Sequence, residues 1–251
     1  MTAATPAESP ASVQVREIQE VAIAITAKSL NPAMLNQDFL KLSAIVPQDW
    51  EFKKPPVANQ SVAQLSFKNG VNITAQPRTV TFSQAVNEKA EKVELLTPEV
   101  ARRFVEKLPN AEYQALNISP RALVPLSGGP ESARDYIAGT LLAQGPWQDF
   151  GKVPVQANLN LLYQLDDAQL NLSINQAKLQ LPDGTAIPAL LFAGNFVYNL
   201  AQAETADKIN YLSGLIGNWQ KDLNQFREVV EERFLQAAPV RPEEESLFPA
   251  S

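Results

Sequence analysis

Residues 155–181 read VQANLNLLYQLDDAQLNLSINQAKLQL, and this stretch decides the fold class. Apolar and polar residues alternate along both halves of it, which is typical of strands that bury one face. The pair Asp166-Asp167 between the two runs has turn chemistry, so the runs predict an antiparallel hairpin. A third apolar run, residues 185–200, follows Pro182-Asp183-Gly184 and predicts a three-stranded meander.

The polar phase of the first two strands carries no charge. Leucines 159, 161, 170 and 172 share the inward phase with other apolar residues, so the opposite face presents amides and one hydroxyl. Solvated sheet faces commonly carry Lys and Glu, whereas amides donate and accept hydrogen bonds together and suit a complementary polar surface. A neutral, merely solvated face is the alternative. The predicted partner-binding residues are Gln156, Asn158, Asn160, Gln164, Gln169, Asn171, Ser173 and Asn175.

The first half of the chain also alternates strands with helices. Residues 13–27 predict a strand with an irregularity near residues 17–19, and residues 31–47 predict a helix. Asn69-Gly70 lies between two alternating runs and is the strongest short hairpin signal in the chain. A further strand, residues 78–86, precedes a helix that starts at Thr97-Pro98-Glu99, with Thr97 as the expected N-cap.

The second half repeats this order of elements. A strand over residues 113–126, a short helix over 131–143, the meander and a long helix over 205–235 follow one another. We therefore predict an α+β fold of two related β-α-β-meander-α halves, residues 13–109 and 110–236, each with its own antiparallel sheet and helices on one face. An old internal duplication explains the recurrence, and coincidence is the alternative.

Both ends are predicted to be disordered, because they lack the apolar residues that would offset the entropy of ordering. Residues 1–12 form the first tail, and residues 237–251 form an acidic second tail. In the second tail, Leu247 and Phe248 follow the run Glu243-Glu244-Glu245 and could fill a pocket on a partner. A solubilising tail is the alternative.

Composition excludes several kinds of chemistry. The 251 residues include no histidine and no cysteine, so the usual catalytic triads and ordinary zinc, haem and iron–sulfur sites are excluded. We expect no metal and no cofactor. The net charge of −6 predicts no nucleic-acid partner, and no apolar run has the roughly 20 residues that membrane insertion needs. The absence of a signal-peptide pattern favours a cytoplasmic location.

Three features together resemble a sporadically distributed family of uncharacterised bacterial proteins of cyanobacterial type. They are the β-α-β-meander beginning, the Asn69-Gly70 hairpin, and a terminal helix carrying Asn218-Trp219-Gln220 and Phe226. The resemblance covers most of the ordered chain. It implies no activity, so it identifies no catalytic residue here.

These observations favour a non-catalytic binding, adaptor or assembly protein over an enzyme. Its partners would be proteins, including a second copy of the chain in a homodimer, bound through the amide-lined sheet and the acidic tail. The alternative is a small-molecule-binding protein or a carboxylate-dependent enzyme. That alternative needs a cleft between the halves, which the loops around Trp50 and Trp147 would line.

Overall fold

A computed structural model describes residues 18–86, 95–181, 184–200 and 208–236. The predicted tails, residues 1–12 and 237–251, lie outside the described residues, as do Leu247 and Phe248. The turn residues Pro182 and Asp183 and the predicted start of the terminal helix at Thr205 also lie outside them.

Nine strands form one antiparallel sheet. They are β1 Ile18–Ala27, β2 Val57–Ala58, β3 Ala63–Ser66, β4 Val71–Gln76, β5 Thr79–Ala85, β6 Tyr113–Pro125, β7 Leu159–Gln164, β8 Gln169–Gln180 and β9 Ala186–Asn199. Their order across the sheet is β2-β3-β4-β5-β1-β6-β9-β8-β7.

Five α-helices accompany the sheet. They are α1 Gln37–Leu42, α2 Thr97–Lys107, α3 Ser132–Asp135, α4 Lys208–Gly217 and α5 Trp219–Glu228. Helices α3 and α5 each continue into a π-helical segment, Tyr136–Leu141 and Val229–Leu235, and short 3-10 turns occupy Pro32–Met34 and Pro146–Asp149.

The predicted α+β class is confirmed, but the prediction of two separate sheets is wrong. Strand β1 pairs with β5 on one side and with β6 on the other, and Ile23 lies opposite Ile118 at the middle of the β1–β6 ladder. Two sheets would leave an edge of each of these strands with unpaired N–H and C=O groups. Their pairing satisfies both edges and makes the sheet continuous.

The helices pack on one face of the sheet, which we call the inner face. The Phe104 ring of α2 lies 5.5 Å from the Phe82 ring of β5, and Phe234 lies 5.9 Å from Phe192 of β9. Phe226 of α5 packs directly over Gly194, where a Cβ would lie 2.8 Å from the ring. The opposite side of the sheet is the outer face.

The structure has a tight turn and a strand irregularity at the positions where the sequence predicts them. Phe67 donates its N–H to the Val71 carbonyl at 2.9 Å, and the intervening Gly70 has φ +90°. The predicted Asn69-Gly70 hairpin is therefore confirmed. The β1–β6 register shifts between Ile18 and Glu20, where the sequence predicts an irregularity.

The predicted helix over residues 31–47 is wrong as one element. Asn31 and Asn36 each accept a hydrogen bond from a backbone N–H two or three residues on, at 3.0 and 2.9 Å, so two short helical segments start separately. Ala44, with φ 56°, ends the second. In a single helix over residues 31–47, helical spacing would place Leu42 on the apolar face with Phe39 and Ile45, but Leu42 is 82% exposed.

Two other helices differ from expectation. Leu96 rather than Thr97 is the N-cap of α2, and the Thr97 hydroxyl is buried without a hydrogen-bond partner among the described residues. The long terminal helix is interrupted between Gly217 and Trp219, since glycine and asparagine both favour helix ends. Its apolar face nevertheless covers the inner face of the sheet as predicted, with Ile216, Phe226 and Val230 buried.

Candidate functional site

The outer face carries uncharged residues in rows that cross the sheet. In one row, each residue lies opposite the next on the neighbouring strand, and the β9–β6 step is a hydrogen bond of 3.1 Å between Asn195 and Ser119. From β7 to β3 this row consists of Leu162, Asn171, Asn195, Ser119, Ala22, Ser83, Asn72 and Ser66. This uncharged row extends over eight strands, and amides or hydroxyls supply six of its eight positions, with Leu162 and Ala22 at the other two.

The neighbouring rows have similar chemistry. One runs from Gln164 and Gln169 across the sheet to Thr74 and Gln64 and is likewise uncharged. The row on the other side includes an ion pair, with Arg121 Nη1 3.3 Å from Glu20 Oε2. This pair is solvated, so it adds little to stability, but it marks one border of the uncharged region.

An open depression of about 410 Å³ lies on the outer face across β6, β9, β8 and β7, and we call it the polar groove. Leu162 adds an apolar side chain at the β7 end that is 62% exposed. Apart from Arg121, which pairs with Glu20, the polar groups here are amides and hydroxyls, which can donate or accept hydrogen bonds without a charge having to be desolvated. The polar side chains that line the groove are Ser119, Arg121, Asn160, Asn171, Ser173 and Asn195.

The structure places the predicted site residues along the edge of the sheet that ends in β7. Asn160 and Gln164 are exposed on β7, Asn171 is exposed on β8, and Asn160, Asn171 and Ser173 meet in the polar groove. Four others lie nearby: Gln169 and Asn175 are half-buried on β8, while Gln156 and Asn158 are exposed in the segment that precedes β7.

The sequence prediction missed the contribution of β6 and β9. Their outward positions mix Ser119, Ala193, Asn195 and Val197, which gives too weak a polar alternation to indicate a wet face. Leu162 was missed because the pair Leu161-Leu162 breaks the alternation. Beyond Asn175 the apolar residues change phase to Ala177, Leu179 and Leu181, a pattern that predicts a bulge and a bend. The bulge is absent, since the β8–β9 register continues without a break to Gln180 opposite Ala186.

The two tryptophans of the alternative function lie apart from the polar groove. Trp50 packs edge-on against Phe67, with ring centroids 5.1 Å apart, and Trp147 lies against Gly145 and is 40% exposed. Neither tryptophan lines the polar groove or the three other depressions with comparable volumes on the described part of the chain. At the seam between the halves, the β1–β6 ladder occupies the place where a cleft would lie.

One buried carboxyl lies on the inner side of the sheet. Tyr198 of β9 donates its hydroxyl to Asp222 Oδ1 of α5 at 2.7 Å, and Asp222 Oδ2 is buried without a partner among the described residues. Burial raises the pKa of Asp222 to about 6, and the nearby charge of Asp167 acts in the same direction. The Tyr198 hydrogen bond and Lys221, which pairs with Asp167 at 2.9 Å, oppose this rise.

Within the described ranges, no three histidine, cysteine, aspartate or glutamate side chains are grouped so that they could hold a metal ion. The helices in those ranges are also too short or too polar to cross a membrane.

No protein-family model matches the chain, and no curated protein matches it.

Proposed function

We propose that this chain is a non-catalytic binding protein that engages a partner protein through the outer face of its sheet, centred on the polar groove. It would serve as an adaptor or an assembly component. The observation that carries the proposal is the uncharged row that continues from Leu162 through Asn171 and Asn195 to Ser119 and beyond. A sheet face that has only to remain solvated usually carries lysines and glutamates.

The chemistry of this face defines the kind of partner. Amides supply both donors and acceptors, so the matching surface would be neutral and polar, with its own backbone or side-chain hydrogen-bonding groups. Leu162 and Ala193 provide limited apolar contact at the same place. The alternative, a small-molecule-binding protein or carboxylate-dependent enzyme, needs a cleft between the halves, and no observation above favours it.

Replacing Asn171 by lysine is expected to weaken partner binding at least tenfold, or about 1.4 kcal/mol. The ammonium group would be buried against a neutral surface without a counter-charge. A partner captured from native extract would be titrated against the wild type, Asn171→Lys and the control Asn210→Lys. Asn210 is exposed on α4, on the helix side of the molecule, so the control adds the same charge elsewhere. Equal affinity for all three chains would refute the proposal.

We propose in addition that Leu247 and Phe248 act as a docking motif. Changing both to alanine is expected to remove a subset of captured partners. The melting temperature should stay unchanged, because the sequence predicts a polar, disordered tail at these positions. Differential scanning fluorimetry and quantitative mass spectrometry of captured proteins would measure the two effects. An unaltered partner list would leave the tail with a solubilising role only.

We also infer that the two halves descend from a duplication. The support is topological: the first strand of each half, β1 or β6, pairs with the last strand of its own meander, β5 or β9. Both halves also have the order strand, helix, strands, helix, although the first half has four strands after its helix, β2 to β5, and the second has three, β7 to β9.

A further inference from the structure

The two ends of the sheet differ in how their edges are protected. At one end lies β2, which has only two residues and follows the run Lys53-Lys54-Pro55-Pro56. Short edge strands, lysines and prolines are the usual means by which proteins prevent pairing with another chain. This edge is therefore closed to strand addition.

The other end, β7, lacks these features. Its six residues, Leu159–Gln164, include no charge and no proline, and no strand in the described parts of the chain pairs with its outer side. Its inward side chains Leu159, Leu161 and Tyr163 are only half-buried, although every one of them packs against the core. An additional strand at this edge would cover them.

The backbone groups available at this edge follow from the turn that joins β7 to β8. Leu165 donates its N–H to the Ala168 carbonyl at 2.9 Å, so these two residues form a hydrogen-bonded pair. Because such pairs alternate along an antiparallel ladder, Leu159, Leu161 and Tyr163 bond to β8. The N–H and C=O groups of Asn160, Leu162 and Gln164 point to the free edge.

We propose that a second copy of this chain pairs with β7 along its free edge, antiparallel, with the two Leu161 residues facing each other on a two-fold axis. Leu162 of each copy then lies opposite Asn160 of the other, and Gln164 lies opposite Asn158. This arrangement forms about eight backbone hydrogen bonds between the copies.

The side chains are self-complementary in this register. On the inner side Leu161 meets its copy, and Leu159 meets Tyr163, so apolar groups cover one another. On the outer side amides meet amides or Leu162, and no like charges face each other. The two polar grooves would adjoin at the axis, since Asn160 and Leu162 line them. The proposal goes beyond the outer-face function and does not depend on it.

Cysteine trapping tests the register, because the chain contains no cysteine of its own. Across the axis, position 161 forms a pair that is not hydrogen-bonded, with Cα atoms about 4.5 Å apart, within disulfide range. Leu161→Cys is expected to form a covalent dimer on oxidation. In the control Leu162→Cys, each cysteine lies opposite Asn160 of the other copy and not opposite the other cysteine. The two sulfurs are therefore farther apart, and crosslinking should be at least tenfold slower. Equal rates in the two variants would overturn the proposal.

Surface variants test the interface without altering the core. In Asn160→Lys/Leu162→Lys, introduced lysines face each other across the axis twice, which should raise the dissociation constant at least tenfold. In the matched control Asn160→Lys/Leu162→Glu, opposite charges face each other and the dimer should persist. Sedimentation velocity at about 1 to 100 µM covers the expected affinity. A wild type that is monomeric throughout, or a control that dissociates like the lysine pair, would overturn the proposal. Asn171→Lys lies one strand inward and tests the outer-face function separately.

Discussion

Replacing Phe226 by alanine is expected to lower the free energy of unfolding by about 3–5 kcal/mol, the range for truncation of a buried phenylalanine. Phe226 is 1% exposed and holds α5 against β9, where Gly194 leaves room for the ring. The cavity left behind cannot refill, because a rigid strand and a helix backbone bound it. Urea denaturation followed by circular dichroism would measure the loss.

The chain offers a matched control for this change. Phe150 is 89% exposed, so Phe150→Ala should alter stability by no more than about 0.5 kcal/mol. Gly194→Ala places a Cβ 2.8 Å from the Phe226 ring and should cost about 1–3 kcal/mol alone. In the Phe226→Ala background the same change should cost much less. Additive effects would contradict the packing described here.

Asp222→Asn is expected to stabilise the protein by about 2 kcal/mol above pH 7 and to have little effect near pH 4. Burial raises the pKa of Asp222 to about 6, so the folded state holds this proton more tightly than the unfolded chain does. The wild type should therefore lose stability as the pH rises from about 4 to a little above 6. The asparagine stays neutral and can still accept the Tyr198 hydroxyl.

The measurement is the difference in unfolding free energy between the wild type and the variant across pH. That difference removes the contribution of other carboxylates. Asp149→Asn removes the same charge at an exposed position and should alter stability by no more than about 0.5 kcal/mol. A variant that is less stable than the wild type at every pH would mean that the Tyr198–Asp222 bond outweighs the cost of burying the charge.

The meander could be predicted because one face of its first two strands is exposed to solvent and carries polar residues. Where Asn160 and Asn171 alternate with inward-facing leucines, the period-two pattern indicates which residues share a face of the sheet. On β9 the same face carries Ala193 and Val197, which are apolar and half-buried. Polar and apolar residues therefore do not alternate clearly along β9. The part of the polar groove on β6 and β9 therefore could not be predicted from the sequence.

The other features that the sequence did not predict depend on contacts between residues far apart in the chain or on local hydrogen bonds. Nothing local at Ile23 or Ile118 indicates that their strands are neighbours, since pairing depends on the whole sheet. Asp222 is a charged residue next to Lys221 on a helix, so the sequence suggests that it faces solvent. In the structure it is buried where α5 packs on the sheet, beside Tyr198. The Asn36 side chain accepts a hydrogen bond from the Phe39 N–H and caps a new helix. This local hydrogen bond divides the segment into two short helical elements, although its apolar periodicity predicts one helix.

The seam between β1 and β6 has a consequence for biosynthesis. Strand β1 leaves the ribosome before β6, and Ile118, the partner of Ile23, follows about 95 residues later. At roughly 5–20 residues per second, translation takes about 5 to 20 s to supply it. For that interval one side of β1 has no native partner, and nascent chains on the same messenger present identical edges to one another. The yield of correctly folded protein should therefore depend on ribosome spacing and on the elongation rate over the part of the message that separates β1 from β6.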